Sequence, residues 1–305
     1  MVTTDRLDDC IGADGGTPRH TDTISLMPSL DYTIVVPSRK RTHNMPALRS
    51  TTMALMAAHG EITPMPDCAI FADTGWEPKA VYDHLAWLMS PNMLPFPVHI
   101  VGSRNLRENV LASVNRSAGR FASVPWFITN SDRSEGMGRR QCTREYKIEP
   151  IAKKQRELMG YRPRQCIPPD AVECWIGISL DEVLRVKPAR NAWQQNRWPL
   201  IEQRMHRSDC LQWLARHDYP TPPKSSCIGC PFHSDAHWRE MRDNTPAEWA
   251  DAIAVDAAIR DAFKMKGKQF MHAKRIPLAE VDLSTAEDRG QLNLFNNECE
   301  GLCGV

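Results

Sequence analysis

The chain has 305 residues, 42% of them hydrophobic, which suffices for one large α/β domain with appendages or for two domains. A formal net charge of +1 excludes a global field that draws the chain to nucleic acid or to a membrane surface, so any basic site must be local. No run of 18 apolar residues occurs, and Met1 to His20 is polar and acidic rather than charged-then-apolar, so the expectation is a cytoplasmic protein with no membrane partner. In that reducing compartment the ten cysteines read as ligands, redox thiols and small buried residues rather than as disulfides.

Residues 1–30 lack hydrophobic periodicity and read as a loose leader. Tyr32 to Val36 predicts a short buried strand, and Ala47 to His59 a helix closed by Gly60. A second strand, Cys68 to Phe71, runs into Ala72-Asp-Thr-Gly-Trp-Glu-Pro78, followed by a helix from Lys79 to Met89 and a strand from Pro97 to Val101. This alternation predicts an α/β fold, a doubly wound and mostly parallel sheet whose ligands sit at the carboxyl ends of the strands, where Asp73 and Thr74 stand.

A helix near Leu106 to Asn115 and an apolar run from Phe121 to Thr129 come next, before a helix that opens at Gly138-Arg-Arg-Gln-Cys142 and runs to Met159. A thiol at a helix start beside Arg139, Arg140 and Arg144 is stabilised as thiolate, which makes Cys142 a candidate ligand or reactive sulfur. Val172 to Ser179 predicts a fourth strand with Cys174 packed inside. Beyond it Ser179, Asp181, Glu182 and Arg185 either grip a phosphate or pair with one another. The helix expected from Ile201 to His217 carries Cys210 on its apolar stripe, and Cys68 also takes a core reading.

Cys227-Ile-Gly-Cys230 sets two thiols on a turn that Gly229 permits and Pro231 stops. Such a pair suits zinc, an iron–sulfur cluster or a redox dithiol, and two ligands do not close a four-coordinate site. From Asp235 to Lys264, Trp238, Met241, Trp249, Ile253 and Ile259 recur at helical spacing and read as packing. The tail ends in Cys299 and Cys303 among apolar residues and is expected to fold back. The expected organisation is thus a leader (1–30), a nucleotide-binding α/β domain (31–200) and a helical, cysteine-bearing C-terminal region (201–305).

From Thr51 onward the chain resembles the phosphoadenosine-phosphosulfate-reductase-like branch of the adenine nucleotide alpha-hydrolase (ATP pyrophosphatase) superfamily, in its phage and prophage form. The resemblance rests on Phe71-Ala-Asp-Thr-Gly-Trp-Glu77, Arg140-Gln-Cys-Thr-Arg-Glu-Tyr-Lys147, Trp175-Ile-Gly-Ile-Ser179, Ser226-Cys-Ile-Gly-Cys-Pro-Phe-His233 and Leu292-Asn-Leu-Phe-Asn-Asn-Glu-Cys299. It implies an enzyme of adenine-nucleotide-dependent sulfur transfer or sulfonucleotide reduction. ATP or another adenine nucleotide, with magnesium, would lie against Ser38, Asp73, Thr74, Gly177, Ser179 and Arg185. Asp73, Arg140, Lys147 and Cys299 would be catalytic.

It further implies a four-iron four-sulfur cluster on Cys142, Cys227, Cys230 and Cys303, with Cys299 as the other choice for fourth ligand and zinc, with these thiols or His233, as the alternative metal. Partners implied are DNA or tRNA as sulfur acceptor, reached by a local groove of Arg139, Arg140, Arg144, Lys153 and Lys154, and a sulfur-donor or reductant protein. The chain departs from the family in one place: no glycine lies between Tyr32 and His59, so the loop 37–46 cannot form a glycine-lined phosphate nest. Either that loop has diverged or the text upstream of Ser50 is frame-shifted. The departure keeps a second function class open, a non-catalytic nucleotide- or nucleic-acid-binding protein.

Overall fold

Phe71 and Ile70 are adjacent in sequence and point into different cores. Their strand, Ala69–Ala72, is buried at every position. Ala69 and Phe71 join a cluster with Met53, Leu55, Trp175 and Trp213, whereas Cys68, Ile70 and Ala72 pack on Ile151. The two-residue alternation of a strand, apolar at both phases, forces cover on both faces.

The computed structural model describes residues 27–28, 32–33, 40–42, 47–102, 105–112, 124–261, 267–284 and 288. The strands are β1 (Met27–Pro28), β2 (Tyr32–Thr33), β3 (Lys40–Thr42), β4 (Ala69–Ala72), β5 (Val98–Val101), β6 (Phe127–Asn130), β7 (Glu135–Met137), β8 (Val172–Trp175), β9 (Gln194–Arg197) and β10 (Gly267–Phe270). The α-helices are α1 (Ala47–Ala58), α2 (Lys79–Leu88), α3 (Leu106–Leu111), α4 (Glu149–Leu158), α5 (Pro199–Glu202), α6 (Arg207–Arg216), α7 (Asp235–Asn244) and α8 (Pro246–Ile259).

The fold is mixed α/β, with small parallel sheets and several helices. β4 pairs with β5 in parallel, and β3, β8 and β9 form a parallel trio with Lys40 opposite Val172 and Val172 opposite Gln194. β6 pairs antiparallel with β7 and β10, as β1 does with β2. Of the expected first strand, Tyr32 to Val36, Tyr32–Thr33 is observed as β2 and 34–36 lie outside the described residues; the strand beside β8 is β3, inside the loop 37–46. Backbone pairing does not require apolar side chains, so a basic stretch can take a sheet position that hydrophobicity does not mark.

Prolines divide two of the expected helices. Pro246 has no N–H to donate and opens α8 just after α7 ends. The helix expected over Ile201 to His217 is interrupted at Arg204, whose φ of 54° is left-handed, and α6 restarts with the His206 N–H on the Asp209 carboxylate at 2.7 Å. Between Cys142 and α4 the chain takes a π-helix, Thr143–Ile148, with the Glu149 N–H bonded to the Arg144 carbonyl five residues back. Pro150 explains it, because its ring would clash with the carbonyl of Tyr146 in a regular α-helix.

α8 fastens the C-terminal helices to the parallel strands. Its Glu248 accepts the Lys79 N–H at 2.8 Å, capping α2, and its buried Asp256 accepts the N–H groups of Met271 (2.8 Å) and Leu278 (3.0 Å) and the Arg260 guanidinium. Trp76, Trp126, Tyr146, Ile228 and Trp238 fill the second core between these elements. Cys68, Cys174 and Cys210 are buried, as expected of core cysteines. No helix among the described residues is long and apolar enough to cross a membrane.

His84 of α2 is buried with Nε2 2.9 Å from Thr51 Oγ1, and burial pushes its pKa down to about 4. The unfolded chain, with a histidine near 6.5, therefore binds more protons than the folded one between about pH 6.5 and 4. Stability should fall as pH drops through that window, by about 3 kcal/mol from this residue. Urea denaturation of wild type and His84→Gln at pH 7 and pH 4.5 checks it: the variant should lose less on acidification, and equal losses would mean that His84 protonates freely within the fold.

Candidate metal centre

The site begins where β4 stops. Asp73, half-buried, accepts the Gly75 N–H at 2.7 Å and the Tyr82 hydroxyl at 2.8 Å on one oxygen, and burial and the Asp73 carboxylate together push the Tyr82 phenol well above its usual pKa. The loop lies so close to the end of β5 that a Cβ at Gly102 would stand 2.1 Å from the Asp73 carbonyl oxygen, and the φ of Gly102 is +150°. Only glycine fits there.

Four residues beyond Asp73, Glu77 gathers three partners at a single oxygen. Its Oε1 accepts from Thr74 Oγ1 at 2.9 Å and from Cys227 Sγ at 3.5 Å, and the Lys147 ammonium lies 3.6 Å away. Thr74 Oγ1 also touches Cys227 Sγ at 3.4 Å. The Glu77 side chain is fully buried, and its Oε2 has no hydrogen-bond partner among the described residues. An orphaned carboxylate oxygen beside a thiol marks a place where a cation would be stabilised.

The cysteine turn is docked onto that loop through its backbone. Ile228 donates its N–H to the Trp76 carbonyl at 2.9 Å, and Cys230 to the Cys227 carbonyl at 2.9 Å. The Trp76 indole is fixed at 2.8 Å to Asp251 of α8, which also holds Arg107 of α3 at 2.6 Å. Gly229 lies flat on that indole, where a Cβ would come within 2.1 Å of Cη2.

His233 faces the carbonyls of Cys227 (3.0 Å) and Ile228 (3.2 Å) with Nε2, which must therefore donate, and Ser226 Oγ at 3.4 Å with Nδ1. Burial holds its pKa well below the ordinary value, so it is neutral. Its Nε2 is spent on the turn, which opposes the alternative of His233 as a zinc ligand through that atom.

Cys142, half-buried at the entrance to the π-helix, packs with Cys227 against the core of Trp76 and Tyr146, near enough for each sulfur to feel the other's charge. The structure thus brings Cys142 and the Cys227 turn, which carries Cys230, to one place. The three sulfurs are not all within 4.8 Å of one another, as the ligand atoms of one other trio among the described residues are. A tetrahedral zinc, at 2.3 Å from each sulfur, needs them about 3.8 Å apart. Burial drives the Cys227 thiol well above its usual pKa, Glu77 pushes the same way and Lys147 partly offsets it, so Cys227 holds its proton until a cation displaces it.

The other expected site residues are placed as follows. Ser179 accepts from the buried Arg49 of α1, which also pairs with Asp181 (2.8 Å) and Glu182 (3.3 Å), and Arg185 pairs with Glu182 at 2.6 Å. Of the two readings of that cluster, internal pairing is the one observed. Gly177 is buried just beyond β8. Arg140 lies over the Phe232 ring at 5.2 Å, Arg144 pairs with Glu149 and Lys154 with Glu157. Ser38, Cys299 and Cys303 lie outside the described residues.

Sequence reasoning did not assign roles to Glu77, Trp76, Asp251 or Arg49. Glu77 had one local signal, its place three residues after Thr74, the spacing at which a hydroxyl and a carboxylate meet. Trp76 and Asp251 meet across 175 residues and had none.

No family model, no curated protein and no solved structure matches the chain.

Two outcomes test the geometry. Gly229→Ala, with no room against a tethered indole, should cost about 1–3 kcal/mol in urea denaturation, whereas Gly136→Ala, which meets nothing within 4 Å, should cost less than about 0.5 kcal/mol. Equal effects would dissolve the Trp76 contact. Lys147→Met, which strands the Glu77 carboxylate, should cost about 3–5 kcal/mol. In combination with Glu77→Gln the loss should fall short of the sum by at least about 1 kcal/mol; strict additivity would mean that the two side chains do not interact.

Proposed function

We propose that the protein binds a four-iron four-sulfur cluster through Cys142, Cys227, Cys230 and a tail cysteine, Cys303 or Cys299, and uses it in adenine-nucleotide-dependent sulfur transfer or sulfonucleotide reduction. One observation carries the reading: Cys142 and the Cys227–Cys230 turn, 85 residues apart in number, converge beside a buried carboxylate that has an orphaned oxygen. The donor set is soft, and the Lys147 ammonium, whose charge reaches Cys227, can offset the negative charge of thiolate ligands. These residues fit an iron–sulfur cluster, which when bound supplies electrons or sulfide at a thiolate-ligated iron.

The chain's own residues have simpler tasks. Asp73 and Thr74, at the carboxyl end of parallel β4, stand where an α/β protein receives a nucleotide, and the second Asp73 oxygen is the candidate for magnesium or a ribose hydroxyl. Arg140, held over Phe232, is the candidate for phosphate. In the transfer reaction an acceptor oxygen attacks the α-phosphorus of ATP, pyrophosphate leaves, and a sulfur nucleophile then displaces AMP. DNA or tRNA are candidate acceptors, and a donor protein would return the sulfur.

A second reading, a binding protein that does not turn nucleotide over, is favoured by one observation. Ser179 and Arg185, two of the expected nucleotide contacts, are already engaged by Arg49 and Glu182. Pyrophosphate release by the purified protein separates the two readings.

Anaerobic purification with iron, sulfide and zinc analysis should give a brown protein with about four irons and four sulfides per chain, and Cys227→Ser should lose the colour. Colourless wild-type protein carrying about one zinc would overturn the cluster.

A further inference from the structure

On the side of α1 that carries its C-terminal end, a second group of ligand atoms has nothing to do with the thiols. One ring nitrogen each of His59 and His217 and one carboxylate oxygen of Glu61 all lie within 4.8 Å of one another. His59 and Glu61 flank Gly60, whose φ of +76° closes α1, and His217 caps the C-terminus of α6. Two helix C-termini therefore meet here, each presenting the negative end of its dipole, a setting that favours a cation.

The hydrogen bonds around the trio orient it as metal ligands are oriented. His217 Nδ1 donates to the Trp213 carbonyl at 2.8 Å, which turns Nε2 towards Glu61 Oε1, 3.9 Å away. Trp213 Nε1 donates to both Glu61 oxygens (3.1 and 2.9 Å) and its indole stacks on the His217 ring at 4.1 Å, fixing both side chains. Tyr219 Oη holds His59 Nε2 at 2.9 Å. Buried or backbone-fixed partners of this kind set ligand direction in metal sites.

We infer that His59, Glu61 and His217 form a mononuclear zinc site. Two neutral imidazoles and one carboxylate, with no sulfur, are the donor set of a borderline-soft divalent ion. Three protein ligands leave one coordination position for water. Of the three, His59 also lines, with Tyr219, a neighbouring cavity of about 440 Å³ whose other walls include Asn92, Met93, Leu94 and Pro95. The inference is independent of the thiol centre and of the function proposed for it.

The test uses the full chain as purified anaerobically, its thiol centre loaded and its metal content counted first. Titration with Zn²⁺ should show one further equivalent bound. Co²⁺ in its place should give visible d–d absorption without a thiolate-to-cobalt charge-transfer band. His59→Gln, Glu61→Gln and His217→Ala should each weaken this binding by about 10–100-fold, while His206→Ala, an exposed histidine outside the trio, should leave it unchanged. Far-ultraviolet circular dichroism identifies any variant that does not fold, and the folded ones decide the matter. No further equivalent in wild type, unchanged affinity in the folded variants, or a thiolate band in the cobalt spectrum would each overturn the inference.

Discussion

One carboxylate oxygen, Glu77 Oε1, is shared by a hydroxyl, a thiol and an ammonium from three distant stretches of the chain: Thr74, Cys227 and Lys147. In a buried setting such contacts are strong, but the desolvation of the charges consumes most of the gain, so the net contribution to stability is small. What the arrangement supplies is position. The loop after β4, the turn of the π-helix and the cysteine turn cannot slide past one another without stranding a charge. Asp251 and Asp256 do the same one layer out, where carboxylates of α8 tie down an indole, two guanidinium groups and two backbone N–H groups.

Hydrophobic pattern made the centre of the fold readable. A four-residue apolar run followed by Asp-Thr-Gly predicts β4 and its exit loop, and α2 and β5 follow within a residue or two of their observed bounds. The cysteine turn was readable from Gly229 and Pro231. Less visible were features set by contacts at long range or by the lack of a single N–H. The antiparallel trio β10–β6–β7 joins strands about 140 residues apart, and β3 takes a sheet position with no apolar residue in it. Asp181, Glu182 and Arg185 looked equally like a phosphate grip and a solvated cluster until Arg49, buried on α1, claimed the first two and Glu182 the third. Composition around a charge does not reveal which opposite charge the fold will bring to it.

The cysteines divide by what surrounds them. Cys210, in an apolar core, is pushed up to about 12 by burial, and Cys174, buried in β8 with Gln155 for company, is raised as well. Both are small apolar residues in effect. Cys227 is raised for the same first reason, yet its neighbours are Glu77, Lys147, Thr74 and Cys142 rather than aliphatic side chains. A thiol kept protonated among groups able to receive or replace its proton is a different object from one sealed in hydrocarbon.

The π-helix ahead of Pro150 has a consequence for the direction of Cys142. A π-turn holds one more residue than the α-turn it replaces, and each α-helical residue advances the spiral by about 100°. The extra residue therefore turns Cys142 by about that angle relative to α4, onto the face where it meets the Cys227 turn.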